Sequence, residues 1–161
     1  MPTTRSVQQT HVHYKHNESL VAIGMEVAVE RDRGAIHVER VVCAHDCGLV
    51  INPDGVKAQV EGNIIQTLSR ALYEEVQFDR SRVTSLDWAS YPILTFSQAP
   101  AIEISLIDRR REPPLGAGEA SAAPVAAALG NAVFDATGVR LRTVPLTPER
   151  VKDALGRQER S

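Results

Sequence analysis

An apolar residue at every fourth position from Val56 to Leu72, through Val60, Ile64 and Leu68, requires a long helix with one buried stripe. Ala71 and Thr67 widen that stripe. Asn52 is suited to the N-cap and Pro53 to the first turn, where its missing N–H costs nothing, so the spacing predicts a helix over Pro53–Leu72. Such a helix spans about 30 Å at about 1.5 Å per residue, and its stripe must be covered by another layer.

The covering layer is predicted from strands. Ser19–Glu30 and Ala35–Ala44 are rich in β-branched residues, and Asp32-Arg33-Gly34 between them supplies a turn with a glycine suited to positive φ. Met25, Val27 and Val29 share one face and Glu26 and Glu30 the other, the pattern of a half-buried strand. Asp46-Cys47-Gly48 ends the second strand. Ala101–Ile107 alternates Ile102, Ile104 and Leu106 against Glu103 and Ser105, a third strand. Tyr73–Phe78 is expected as a further strand, 79–82 as a turn, 83–96 as irregular, and 140–146 as a short extended piece. An Ala-rich helix is expected from Ala120 to Thr137, closed by Gly138, and a last short helix from Glu149 to Leu155, capped by Thr147-Pro148 and stopped by Gly156. These elements give an α+β fold: a hairpin-connected mixed sheet with two main helices and a short C-terminal helix. Residues 1–9 are expected to be a disordered lead, 10–155 the folded segment and 156–161 a polar tail.

Composition narrows the function classes. The 161 residues carry 18 basic and 20 acidic side chains, a formal charge of -2, so no basic field exists to attract nucleic acid or an anionic membrane. No apolar run approaches the about 20 residues that span a bilayer. Two cysteines and no secretory leader point to a reducing compartment, and the cytoplasm is expected.

The chemistry concentrates in Pro113-Pro114-Leu115-Gly116-Ala117-Gly118-Glu119-Ala120-Ser121. Two prolines stiffen an extended approach, and Gly116 and Gly118 permit backbone angles or close contacts that a Cβ would block. Glu119 then stands before the small-residue helix, where unpaired N–H groups favour an acid. On the residues alone, Glu119 reads first as a first-turn acid that complements the helix dipole. Along the 53–72 helix, Gln59, Gly62 and Gln66 are three and four apart and form a small, polar face distinct from the apolar stripe. That face reads either as an ordinary solvated side or as a binding surface.

The Gly-x-Gly-Glu stretch, together with Gln59-Val60-Glu61-Gly62-Asn63-Ile64-Ile65-Gln66, resembles the molybdopterin-binding subunits of the xanthine dehydrogenase and aldehyde oxidase family of molybdenum hydroxylases. The resemblance is strongest to the isoquinoline 1-oxidoreductase and nicotinate dehydrogenase type. It runs in matching order through most of residues 12–155 and covers the C-terminal part of a subunit several times longer. It implies that Glu119 is the active-site base beside the molybdenum centre. It also implies that Gln66 lies close to the pterin, with Gln59, Gly62, Gly116, Ala117 and Gly118 as further cofactor contacts. Where family members follow the glutamine with Gly-Leu-Gly, this chain has Thr67-Leu68-Ser69, which implies a tighter or differently shaped pocket. The cofactor implied is molybdopterin cytosine dinucleotide, shared with sequence outside this chain. The resemblance also implies [2Fe-2S] clusters in a partner subunit, and two cysteines cannot ligate such a cluster alone. The reaction implied is hydroxylation of an N-heteroaromatic or aldehyde substrate with oxygen from water. The partners implied are the remainder of the molybdopterin-binding subunit as a separate chain and a [2Fe-2S] subunit, with no nucleic acid and no membrane. A truncated chain without catalysis and a non-enzymatic assembly domain are the alternatives.

Other constellations read as structural. Cys43-Ala44-His45-Asp46-Cys47 supplies at most three soft ligands and is expected in the core or at a turn, with no metal. His11, His13 and His16 fit a polar edge strand. Arg109-Arg110-Arg111 is expected as a solvated or subunit-facing link. Trp88-Ala89-Ser90-Tyr91-Pro92 is expected either to line a substrate channel or to anchor a long loop.

Overall fold

The computed structural model describes residues 4–6, 12–16 and 19–158. In chain order these form β1 (Thr4–Ser6), β2 (Val12–His16), β3 (Ser19–Glu30), β4 (Ala35–Asp46), α1 (Pro53–Leu72), β5 (Ala101–Ile107), α2 (Ala123–Thr137) and α3 (Pro148–Gln158). β3 and β4 are an antiparallel hairpin, β1 and β2 share the outer edge of β3, and β5 adds to β4 in parallel. The sheet is therefore mixed and hairpin-connected, as the α+β reading requires. The hairpin turn closes on the Glu30 carbonyl, which accepts from Arg33 N and Gly34 N, with Gly34 at φ 73°.

One irregularity sets which side chains reach the core. Glu26 pairs with Arg40 but Val27 pairs with Val38, so Glu39 is an extra residue in β4. Before it, even-numbered Ile36 and Val38 are buried; after it, odd-numbered Val41, Cys43 and His45 are buried. Without this bulge, half of β4 would turn its apolar side outward. The inward residues of β3 (Val21, Ile23, Met25, Val27 and Val29) join Val60, Ile64 and Leu68 of α1 and Val125, Leu129 and Val133 of α2 in one core. The four-spaced stripe of α1 is thus buried as its spacing demands. Asn52 caps α1, its Oδ1 accepting from Gly55 N at 3.0 Å.

Several expectations are corrected. Thr4–Ser6, within the lead expected to be disordered, pairs with Val27–Val29. β4 continues to Asp46, two residues beyond the expected end, because the parallel partner β5 extends the ladder to Asp46–Ile107. Tyr73–Phe78 forms no strand: the apolar side chains have no neighbouring strand, and a single bridge joins Phe78 to Val83. Residues 140–146, expected as a short extended piece, carry no helix or strand, and the peptide bond Val144–Pro145 is cis. α2 begins at Ala123, not Ala120, because Ala122 N bonds to the Glu119 carbonyl in a separate turn. α3 runs through Gly156 to Gln158, since Leu155 is buried and anchors the last turn. Residues 156–158 of the expected tail are thus helical. Among the histidines of the 11–16 tract, His11 lies outside the described residues; the backbone of Val12–His16 is the edge strand β2.

Candidate active site

The stretch from Pro113 to Ser121 is held from two sides. On the sheet side, Leu115 N donates to the Cys47 carbonyl at 2.8 Å and Arg109 N to the Gly48 carbonyl at 3.0 Å. Gly48 sits at φ +74°, and a Cβ there would overlap the Pro113 carbonyl oxygen, so only glycine allows the two turns to meet. On the helix side, Asn63 Nδ2 donates to the fully buried Ser121 Oγ at 2.9 Å. Arg109 is not simply a solvated link. Its Nε donates to Asp46, 2.8 Å from Oδ1 and 2.7 Å from Oδ2, and Asp46 Oδ1 also accepts from Gly48 N at 3.0 Å. Burial works against ionisation of Asp46, but the Gly48 N–H and the Arg109 guanidinium outweigh it and hold the carboxyl below its usual range.

Between these supports lies a cleft of about 220 Å³ lined by Cys47, Asn52, Gln59, Leu115, Ala117 and Gly118, among others. Gln59 and Gly118 are neighbours: a Cβ on Gly118 would stand 3.6 Å from Gln59 Nε2. Neither Gly116 nor Gly118 has a positive φ, so their use here is the open backbone surface rather than a left-handed turn. Gly116 and Gly62 both face open space. Gln66 is exposed two turns further along α1, where its Oε1 accepts from Arg70 Nη2 at 3.4 Å. It does not line the cleft. Glu119 lies beyond Gly118 and is exposed, so this chain does not by itself supply the burial that tunes a catalytic carboxylate. The structure therefore brings Gln59, Ala117 and Gly118 into one cleft, sets Gly116 and Glu119 at its rim by sequence adjacency, and leaves Gln66 on a continuation of the same helix.

The Cys43–Cys47 segment lies beneath. Cys43 and Cys47 are buried free thiols, and burial pushes Cys43 up to about 12 and Cys47 upward as well. The fully buried His45 places Nε2 3.0 Å from Ser19 Oγ. Ser19 Oγ donates its own proton to the Asp46 carbonyl, so it accepts from His45 Nε2–H, and Nδ1 carries a buried lone pair without a partner among the described residues. Burial lowers the imidazole pKa, partly countered by Asp46. Among the described residues no group of three or more His, Cys, Asp or Glu could hold a metal ion. Trp88 is exposed and anchors nothing; the loop is instead tied by Tyr91 Oη donating to Glu74 at 2.9 Å. The Cys47–Leu115 and Gly48–Pro113 junctions were not predictable, because nothing local in either segment signals the other.

The architecture is that of a domain from a molybdenum hydroxylase. Quinoline 2-oxidoreductase from Pseudomonas putida 86 superposes with a TM-score of 0.79 at 29% identity, over 86% of this chain and 19% of that one. Residues 4–100 match the molybdopterin cofactor-binding domain family. The chain is 52% identical over 131 residues to a nicotinate dehydrogenase subunit of Pseudomonas putida, covering 81% of this chain and 11% of that protein. It is 37% identical over 146 residues to the beta subunit of isoquinoline 1-oxidoreductase from Brevundimonas diminuta, covering 91% of this chain and 18% of that protein. The chain belongs to the molybdopterin cofactor-binding family of molybdenum hydroxylase subunits, and it spans less than a fifth of the length of these relatives. No helix among the described residues is long and apolar enough to cross a membrane.

Proposed function

We propose that this chain forms one wall of the cofactor and substrate site of a molybdenum-dependent oxidoreductase that hydroxylates N-heteroaromatic or aldehyde compounds. The N-heteroaromatic class is favoured by the names of the relatives, which point to nicotinate and isoquinoline. The observation that carries the reading is the junction of the Gly116–Glu119 turn with the polar face of α1, where Gly118 meets Gln59. The residues fit the edge of a pterin. Gln59 has no hydrogen-bond partner among the described residues and offers both a donor and an acceptor, and Gly62 and Gly116 leave open surface where a Cβ would stand. Gln66 and the backbone of Ala117 extend the same edge. A cleft of about 220 Å³ cannot enclose a dinucleotide cofactor, so this chain contributes one side of the pocket only.

When bound, molybdopterin cytosine dinucleotide supplies the two-electron redox chemistry. The chain's own part is to orient the pterin through Gln59 and Gln66, to let it approach the glycine backbone, and to remove a proton from the attacking water through the Glu119 carboxylate. The remainder of the molybdopterin-binding subunit supplies the opposite wall and buries Glu119, in the cytoplasm. A [2Fe-2S] subunit takes the electrons. The exposure of Glu119 favours catalysis only in that assembly. The test is Glu119→Gln in the assembled enzyme, read by rapid-mixing reduction of the cofactor under anaerobic conditions at matched molybdenum content. Reduction near the parent rate would remove Glu119 from the mechanism.

A further inference from the structure

The segment 73–100 between α1 and β5 has no strand or α-helix, yet it is fixed at many points. Leu94 N donates to Ser69 Oγ at 3.0 Å, Gln98 Nε2 donates to Tyr73 Oη at 3.0 Å, and Asp79 and Asp87 each cap a tight turn. The first bond ties the segment to α1, and the others hold it to itself at exposed positions. Its large apolar groups point outward: Phe78 is 76% exposed, Leu86 75%, Trp88 75% and Phe96 98%. An ordered segment that exposes large apolar side chains in this way marks an interaction surface. Beside Phe96, a groove of about 530 Å³ runs between Ile65 of α1 and Leu94, Pro100 and Ile102.

Position relative to the candidate site supplies the meaning. Glu61 and Ile65 border this groove, and each is one residue before Gly62 and Gln66 of the polar face. One residue is about 100° around a helix, so whatever occupies the groove covers the face of α1 next to the polar one. We infer that the 73–100 segment and this groove are the seat for an apolar portion of the molybdopterin-binding subunit that lies outside this sequence. The inference rests on the reading above, and it names the surface through which the site is completed. The chain spans 11% to 18% of the two relatives' lengths, so most of such a subunit is available to cover it. Glu74 and Glu75 are paired with Tyr91 and Arg150, and the exposed Phe78, Trp88 and Phe96 are the aromatic groups available to anchor a contact, where such anchors carry most binding energy.

The test uses the chain with a defined probe: the nicotinate dehydrogenase subunit of Pseudomonas putida from which the matched 131 residues have been removed. The two are co-expressed and co-purified, and their affinity is then titrated. Phe96→Glu is the first variant, since a side chain 98% exposed leaves the lone chain's own unfolding transition unchanged. Leu20→Glu, on the opposite face of the sheet, is the comparison. The expected result is a complex with the parent and with Leu20→Glu, and binding at least about ten-fold weaker with Phe96→Glu. A Phe96→Glu complex of parent affinity, or loss of binding in Leu20→Glu alone, overturns this surface while leaving the assembly reading intact. Absence of a complex with the parent overturns both.

Discussion

Asn63 donates from Nδ2 to the Oγ of Ser121 across 2.9 Å, and this bond ties the middle of α1 to the turn that follows Glu119. Ser121 is fully buried and Asn63 partly so. The pair fixes the distance between the Gln59–Gln66 face and the Gly116–Glu119 turn, which are the two halves of the candidate site. Removing the hydroxyl leaves an amide donor without its partner in a part-buried position. Ser121→Ala is expected to cost about 1–3 kcal/mol in urea unfolding. Amide exchange of residues 116–122 should quicken more than that of β3. Unchanged exchange in that turn would show that the bond does not position it.

Gly48→Ala attacks the other support. The substitution combines a left-handed backbone, about 1–2 kcal/mol for a non-glycine residue, with overlap against the Pro113 carbonyl oxygen. The expected loss exceeds that of the backbone effect alone, and the bond from Leu115 N to the Cys47 carbonyl should open. Gly62→Ala, which meets nothing within 4 Å, should leave stability unchanged or slightly improved because alanine favours a helix. Equal effects of the two substitutions in chemical denaturation would contradict this account.

Two groups give stability an acid-side dependence. His45 is held neutral by burial, its folded pKa lying below the usual 6.5. Its contribution is fully present above the unfolded value and declines as pH falls through the window beneath about 6.5. For Asp46, burial opposes ionisation, but the Gly48 N–H and Arg109 prevail and the folded pKa is lowered. Its contribution is present above the unfolded value of about 3.9 and is lost as pH falls through the lower folded one. Urea unfolding across acid pH should therefore show two successive declines, and Arg109→Gln should weaken the second while sparing the first. A profile flat down to about pH 5 would show that His45 does not resist protonation.

Glu119→Gln keeps size and hydrogen-bonding reach but removes the proposed base. In the assembled enzyme the loss is expected in the chemical step, at about 10²–10⁴-fold, with cofactor content preserved. If Glu119 serves only as an acid near the start of α2, the change costs at most about 1 kcal/mol of stability and leaves cofactor reduction near the parent rate.

The parts of the fold legible in the sequence are those whose signal is local and periodic. Pro53–Leu72 and Ala101–Ile107 were readable because cap, period and length agree within each segment. Tyr73–Phe78 misled because a short mixed segment with aromatic and β-branched residues becomes a strand only if a neighbour pairs with it, and here none does beyond the Phe78–Val83 bridge. Gly156 misled because glycine weakens a helix without ending it when Leu155 is held in the core. Ala120 misled because alanine favours a helix at any position and therefore marks no start. Of the site, the Gly118–Glu119 turn and the Gln59 face were readable as separate motifs through family resemblance. Their junction was not, since it depends on Gly48 meeting Pro113 and Asn63 meeting Ser121 across long stretches of chain.

The parallel ladder between β4 and β5 has a consequence for the order of assembly. The β3–β4 hairpin closes through a short turn, whereas Arg40 meets Ala101 only after α1 and the whole 73–100 segment have been passed over. Closing the longer loop carries the larger entropic cost, so the hairpin is the early unit and β5 the late one. Arg109, Pro113 and Leu115 follow directly behind β5 and reach the Asp46–Gly48 bend only once that strand has docked. The half of the candidate site that carries Glu119 therefore finds its place after the hairpin, and a nascent chain stalled before that step would hold an intact hairpin with no site beside it.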